Sequence, residues 1–117
     1  MKPNVLIVED DFLLATNLAE VVQEELDAEP LLASSVAEAL LIIPDHLALA
    51  FLDIEILDGK SYPIARTLIK NSVPIIFVSG NESASLPDDL KGVPFLSKPV
   101  ATGRLVRLAK ALCGVFA

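Results

Sequence analysis

The sequence predicts an α/β domain in which a parallel β-sheet is covered by helices on both faces. Short apolar runs alternate with helical segments along the 117 residues, which is the order of strand–helix–strand units. The runs are apolar at nearly every position, as is typical of parallel strands buried on both sides. The composition is 53% hydrophobic and only 5% aromatic, so aliphatic side chains are expected to fill one core without disulfides or structural metals.

In the first half of the chain, each apolar run ends where a helix signal begins. The elements predicted there are, in chain order, strand 4–8, helix 11–27, strand 29–34, a helix ending near Ile43, and strand 47–53. Leucines and valines at three- and four-residue spacing indicate helix 11–27. Ser34 or Ser35 can cap the next helix, and Glu38 completes a capping box with Ser35. Pro44 then ends that helix.

The second half repeats the pattern. The elements predicted there are helix 61–70, strand 73–80, strand 93–97 and helix 101–113. An Asp-Gly pair at 58–59 marks a turn before the first of these helices, and Pro63 is tolerated in its first turn. Segment 81–92 is polar and is interrupted by Pro87 and Gly92. The chain is therefore expected to fold as a five-stranded sheet with right-handed crossovers.

Charge and cysteine content exclude several classes of function. The net charge of −7 disfavours direct binding to nucleic acid, which requires a basic surface, and is compatible with binding a cation. The single cysteine, Cys113, excludes an internal disulfide and fits a reducing cytoplasm. Every apolar run is shorter than a bilayer span. We expect one domain over residues 1–117, without a signal peptide, a membrane-spanning segment or an output domain.

Polar side chains follow four of the five predicted strands. They are, in chain order, Glu9, Asp10 and Asp11, then Asp53, then Ser79, then Lys98. The carboxyl ends of parallel strands lie at one edge of the sheet, so we expect these groups to converge there. Clustered carboxylates suit Mg²⁺. An acid beside a divalent cation, a hydroxyl and an amine is what phosphoryl transfer to a carboxylate requires.

Each of these residues also has an ordinary structural explanation. Asp10 or Asp11 could cap the first helix, because an acid between a strand and a helix often does. Ser79 alone is typical of a turn, and Lys98 alone is typical of a solvated surface charge. Taken jointly, these separate explanations are less convincing, because chance would rarely place all of these groups at the same end of different strands.

Four motifs in order, LIVEDD, FLDIEILDG, IIFVSG and FLSKP, resemble those of response-regulator receiver domains of two-component signalling. The resemblance covers essentially the whole chain. It implies a doubly wound, flavodoxin-like sheet in the order 2-1-3-4-5 with five helices. It also implies a phosphoryl acceptor that uses Mg²⁺ or Mn²⁺ and takes its phosphoryl group from a histidine kinase or a histidine phosphotransfer protein.

The resemblance implies roles for the residues at the strand ends. Asp53 corresponds to the phosphoacceptor, and Glu9 and Asp10 correspond to the paired metal-binding acids. The main-chain carbonyl of Glu55 would complete the metal site. Ser79 and Lys98 take the positions that stabilise the phosphoryl group, and the bond between Lys98 and Pro99 is a candidate cis peptide.

Three features depart from the family pattern. Phe95 stands where a switch tyrosine is frequent, so a rotamer switch is expected to be weaker, or the ring simply packs in the core. Glu55 and Asn81 occupy positions that tune the lifetime of the phosphoryl group, and either could instead be an exposed loop residue. The stretch between Ser79 and Lys98 is short, so the fourth helix is expected to be short or disordered, which puts the common dimer face in doubt.

The partner surface follows from the same resemblance. We expect a kinase or phosphotransfer protein to contact the first helix, at Leu13, Leu14 and Leu18, and the loop after Lys98. The chain is expected to be a monomer or a weak homodimer that binds no nucleic acid and enters no membrane. Two other functions stay open: a pseudo-receiver that binds a protein independently of phosphorylation, and a small phosphatase or phosphotransferase with an aspartyl nucleophile. The chain could also be a fragment of a larger regulator.

Overall fold

A computed structural model describes residues 2–80 and 85–116. The strands are β1 (Asn4–Val8), β2 (Glu29–Ala33), β3 (Leu49–Asp53), β4 (Glu55–Ile56), β5 (Gly59–Lys60), β6 (Ile75–Ser79) and β7 (Phe95–Ser97). The helices are α1 (Phe12–Glu25), α2 (Val36–Ile42), α3 (Tyr62–Lys70) and α4 (Thr102–Leu112). The five predicted strands and four of the predicted helices lie within two residues of their expected bounds, whereas the pair β4–β5 was predicted only as a turn.

The main sheet has five parallel strands in the order β2-β1-β3-β6-β7. The short strands β4 and β5 form a separate antiparallel hairpin, so the observed order is the expected 2-1-3-4-5. The chain runs outward in one direction from β1 to β2 and in the other from β3 to β7. The strand order therefore reverses between β1 and β3, and the crevice beyond their carboxyl ends is the expected ligand site of such a sheet.

Alternate residues of the central strands β1, β3 and β6 enter two separate cores. In β1, Leu6 and Val8 pack on the side covered by α2 and α3, where Ile64 and Leu68 are fully buried. The other residues of β1 pack on the opposite side, among buried residues of α1 and α4 that include Val22, Leu105 and Ala109. This alternation confirms that helices cover both faces.

The two helices after β1 and β2 begin at the expected side-chain caps. The amide of Glu38 donates to Oγ of Ser35 at 3.0 Å, and Oε1 of Glu38 accepts from the amide of Ser34 at 2.7 Å. At α1, Oδ1 of Asp11 accepts from the amides of Leu13 and Leu14 at 3.0 and 3.2 Å. Asp11 is therefore the N-cap of α1.

The segment between β6 and β7 was expected to carry a short or disordered fourth helix, and residues 81–84 of it lie outside the described part of the chain. Within its described part, residues 85–94, a 3₁₀ turn spans Asp88–Leu90, Ser85 is also in 3₁₀ conformation, and no α-helix is present. Leu86 and Leu90 are buried in the core on the α2–α3 side. No helix in the described part of the chain is both long enough and apolar enough to cross a bilayer.

Candidate functional site

The acids after β1 have different environments. Glu9 is buried, and its amide extends the pairing with β2 by donating to the carbonyl of Ala33 at 2.9 Å. Asp10 is exposed beyond the strand end. The carboxylate of Asp11 caps α1, so Glu9 and Asp10 are the two acids of this run that remain for the cluster at the strand ends.

Asp53 ends β3, the neighbouring strand. Val8 pairs with Leu52 in the sheet, so the residues that follow them, Glu9 and Asp53, leave adjacent strands at the same level. Carboxylate oxygens of Glu9, Asp10 and Asp53 lie within 4.8 Å of one another. The sheet register therefore brings together the three acids that the sequence singled out.

Lys98 reaches the same cluster from the far edge of the sheet. Its Nζ lies 2.6 Å from Oε1 of Glu9 and 3.0 Å from Oδ2 of Asp53. The Lys98 side chain is only 22% exposed, and those of Glu9 and Asp53 are 2% and 11% exposed. The backbone before it is fixed, since the Lys98 amide donates to the carbonyl of Ser79 at 2.9 Å. The peptide bond between Lys98 and Pro99 is cis, as expected.

Burial and close hydrogen-bonded neighbours perturb the protonation of this cluster. Burial and a hydrogen bond with Asp53 raise the pKa of Glu9 to about 7, against the opposing effect of Lys98. Burial alone would lower the pKa of Lys98, but its hydrogen bonds to Glu9 and Asp53 outweigh burial and raise it. Three carboxylates against one ammonium leave two formal negative charges, which a divalent cation would balance.

The donor set fits Mg²⁺. Carboxylate oxygens are the ligands that this ion prefers, and it commonly uses only a few carboxylates together with water and phosphate oxygens. Asp10 and Asp53 would supply the direct ligands, with Glu9 next to them and the main-chain carbonyl of Glu55 two residues beyond Asp53. The same donors suit Mn²⁺.

The side chain of Glu55 has a partner that sequence reasoning missed. Glu55 pairs with Lys60 across the β4–β5 hairpin, and their side chains form an ion pair that is half exposed to solvent. The only signal for this in the sequence was the Asp-Gly turn, where Gly59 takes a φ of +130°. Asn81, the other position assigned to lifetime tuning, lies outside the described residues.

Two further predicted residues occupy the β6–β7 side of the site. Ser79 is buried at the end of β6, one residue beyond the partner of Asp53 in the register. Phe95 is half-buried in β7 opposite Phe77 and packs against the core on the α2–α3 side. Its position is compatible both with a switch residue and with plain core packing.

A pocket of about 630 Å³ adjoins the acidic cluster. Leu14 and Leu18 of α1 line one side of it, and Lys98 and Pro99 line the other. Leu13 is 67% exposed on the same helix. Another pocket, of about 740 Å³, lies at the opposite edge of the sheet beside Asn4 and Pro74, away from the acids.

Comparison with known proteins identifies relatives of this fold. The chain aligns with SdrG from Sphingomonas melonis Fr1 at 32% identity over 95% of this chain and 96% of that one, with a TM-score of 0.79. It aligns with the non-phosphorylated HemR receiver domain from Leptospira biflexa at 27% identity over 95% and 94% of the two chains, with a TM-score of 0.78. A response regulator receiver protein from Pseudomonas putida gives 25% identity over 95% and 98%, with a TM-score of 0.82.

No protein-family model matches the sequence, and the search of curated proteins finds no match. The assignment therefore depends on the solved structures, which match over nearly their whole length, and on the strand-end residues of this chain. By fold, sheet order and similarity to these proteins, the chain belongs to the response-regulator receiver family.

Proposed function

We propose that the protein accepts a phosphoryl group on Asp53 from a phosphohistidine, in a reaction that depends on Mg²⁺ or Mn²⁺. The observation that carries this proposal is the position of the Asp53 carboxylate, which lies among Glu9, Asp10 and the ammonium of Lys98. A carboxylate held between a cation-binding cluster and a lysine is suited to act as a nucleophile toward phosphorus.

In this reaction a carboxylate oxygen of Asp53 attacks the phosphorus atom of the donor. An oxygen–phosphorus bond forms while the bond between phosphorus and the imidazole nitrogen breaks, and the imidazole leaves with the electron pair of that bond. The product is an acyl phosphate on Asp53. Proximity does most of the work, because the transferred group needs little covalent assistance.

The residues around Asp53 would stabilise the charge on the transferred group. The Nζ of Lys98, which lies 3.0 Å from Oδ2 of Asp53, would donate a hydrogen bond to a phosphoryl oxygen. The hydroxyl of Ser79, at the end of the adjacent strand, would donate to another. When bound, the divalent cation would supply positive charge to the phosphoryl oxygens and offset the two formal negative charges of the cluster.

The partner would be a histidine kinase or a histidine phosphotransfer protein in the cytoplasm. Leu13 is exposed on α1, and the pocket between α1 and the loop after Lys98 is lined by Lys98, whose Nζ contacts Asp53, which supports this surface as the contact. Signalling would then proceed by phosphorylation-dependent partner binding or by onward transfer in a phosphorelay. We propose an acceptor that catalyses its own phosphorylation and dephosphorylation, with no turnover of an external substrate.

The test is the intact mass of the protein after incubation with acetyl phosphate or phosphoramidate, with and without Mg²⁺. Wild type should gain the mass of one phosphoryl group only when Mg²⁺ is present. The Asp53→Asn variant should gain none, while the control Asp45→Asn, which changes an exposed acid in the loop after α2, should behave as wild type. An adduct that persists in Asp53→Asn would contradict the assignment.

The pseudo-receiver remains the second candidate, and two observations favour it. The Glu55 carboxylate, two residues beyond Asp53, is engaged by Lys60, and the described residues 85–94 contain 3₁₀ turns and no α-helix. If neither small phosphodonor labels the folded protein, transfer from a phosphorylated histidine phosphotransfer domain separates the candidates. Hydrolysis of a phosphomonoester with repeated turnover would instead favour a small phosphatase.

A further inference from the structure

The outer face of α2 is apolar. Ala37, Leu40 and Leu41 follow one another at helical spacing on the exposed side, and Leu41 is 86% exposed. Leu57, in the turn between β4 and β5, is 72% exposed. We call these four residues the α2 stripe.

The stripe is distinct from the face by which α2 joins the core. Ala39 is fully buried, and Val36 and Ile43 pack against the core on the α2–α3 side. The seven-residue helix carries a single charged residue, Glu38, so both its inner and outer faces are largely apolar. Isolated exposed leucines are ordinary, but a row of neighbouring ones is typical of a binding surface.

Hydrogen bonds hold Leu57 against the first turn of α2. The carboxylate of Asp58 accepts from the amides of Val36 and Ala37 at 2.7 and 3.2 Å. The amide of Leu57 donates to the carbonyl of Ser34 at 3.4 Å. These hydrogen bonds place Leu57 beside the first turn of α2, so the β4–β5 turn and the exposed face of α2 form one surface.

Charge indicates what kind of surface would cover the stripe. The formally charged residues on α2, on the loop after it and in the β4–β5 turn are Glu38, Asp45 and Asp58, all acidic and all exposed. A second copy packed on the same face would bring these acids together, and an anionic lipid surface would be repelled. Lysine and arginine beside apolar anchors would instead complement them.

We propose that the α2 stripe is a docking surface for a basic amphipathic helix of a partner protein. Leucine-sized side chains of that helix would cover Leu40, Leu41 and Leu57, and its flanking lysines or arginines would lie near Glu38 and Asp45. The surface does not overlap the pocket between α1 and Lys98, so one chain could hold both partners. The proposal does not depend on phosphoryl transfer.

The test uses the full ¹⁵N-labelled chain, with Mg²⁺ present to fill the acidic cluster. The probe is a synthetic amphipathic helical peptide with leucines on one face and lysines on the other. Saturable amide shifts should concentrate in α2 and at residues 57–58. A second peptide with glutamate in place of lysine should bind at least about tenfold more weakly, as expected if the acids contribute to recognition.

Variants separate the stripe from other exposed apolar residues. Joint substitution Leu41→Ser and Leu57→Ser should weaken binding of the lysine peptide by about tenfold or more, because both are exposed anchors of the contact. The matched control Val115→Ser, which changes a 62% exposed valine after α4, should bind as wild type. Since all three positions are exposed, the variants should remain folded, which the amide spectra also report.

Four results would overturn the proposal. Shifts confined to α1 and the loop after Lys98 would place the peptide elsewhere. Equal binding of the double variant, or of the glutamate peptide, would remove the apolar or the electrostatic basis of the contact. Dimerisation of the chain alone that is lost in the double variant, measured by sedimentation, would identify a second copy as the occupant.

Discussion

Replacing Asp10 by asparagine should stabilise the metal-free protein. Asp10 is an exposed acid whose carboxylate belongs to a cluster with two others, and asparagine keeps its size while removing its charge. Most substitutions destabilise a protein, so an increase in stability is a distinctive result. Its physical reason is relief of repulsion within the acidic cluster.

The magnitude follows from the separation of the carboxylates. The carboxylate oxygens lie within 4.8 Å of one another, and at that limiting separation two unit charges repel by about 3.5 kcal/mol at an effective dielectric constant of about 20, and by about 0.9 kcal/mol in bulk water. Exposure of Asp10 favours the lower figure, and partial protonation of Glu9 reduces one of the two repulsions. We expect about 1–2 kcal/mol, or roughly 4–8 °C in Tm for a chain of 117 residues.

The assay is urea and thermal unfolding by circular dichroism, first with EDTA and then with increasing Mg²⁺. In EDTA, Asp10→Asn should be the more stable protein, and added NaCl should reduce the difference by screening. Wild type should then gain stability with Mg²⁺, by about 2.7 kcal/mol at a hundredfold excess over Kd, whereas the variant, which lacks a ligand, should gain less. The order of stability should therefore reverse.

Asp45→Asn is the control, since it removes the same charge from a loop away from the cluster and should match wild type in both conditions. The reasoning would be refuted if Asp10→Asn were less stable than wild type in EDTA. Equal stabilisation of both proteins by Mg²⁺ would show that Asp10 contributes nothing to a metal site.

Three further predictions concern the site and its surroundings. The pKa of Glu9 is raised from 4.5 to about 7, so the stability contributed by its neutral buried form should be complete below about pH 4.5 and lost as pH rises through 7. Urea unfolding in EDTA should show this decline in wild type. An equally steep decline in Glu9→Gln would contradict the prediction. Lys98→Met should slow Mg²⁺-dependent adduct formation by about a hundredfold, the loss typical of one missing charge-stabilising donor, and an unchanged rate by intact mass would exclude that role. Ser61→Ala should lower the free energy of unfolding by less than about 1 kcal/mol, or raise it, because Oγ of this buried serine has no hydrogen-bond partner in the part of the chain described. A large loss of stability in urea unfolding would reveal a hidden partner.

The convergence of the acids and the lysine was predictable from sequence because it depends only on parallel strands. Glu9, Asp53 and Lys98 each follow an apolar run, and the carboxyl ends of parallel strands share one edge. The expectation of a short or disordered fourth helix came from the small number of residues between Ser79 and Lys98 and from Pro87 and Gly92 within that stretch. These features require no knowledge of side-chain orientation.

Contacts set by a particular register or turn were not predictable. Sequence left Asp10 and Asp11 as alternative caps of α1, and only the hydrogen bonds to Leu13 and Leu14 distinguish them. The ion pair between Glu55 and Lys60 depends on a hairpin only two residues long on each side. The hydrogen bonds from the α2 amides to Asp58 join residues that are 21 and 22 positions apart in the chain. No local sequence pattern predicts them.

The central claim is that Asp53, and no other acid of the cluster, carries the phosphoryl group. The most direct test treats the protein with acetyl phosphate and Mg²⁺, reduces it with borohydride, which converts an aspartyl phosphate to homoserine, and locates the change by peptide mass spectrometry. Our account predicts homoserine at position 53 alone, dependent on Mg²⁺. Homoserine at position 10 or 11, 5-hydroxynorvaline at Glu9, or no reduced residue in a protein that has gained the mass of a phosphoryl group, would contradict it.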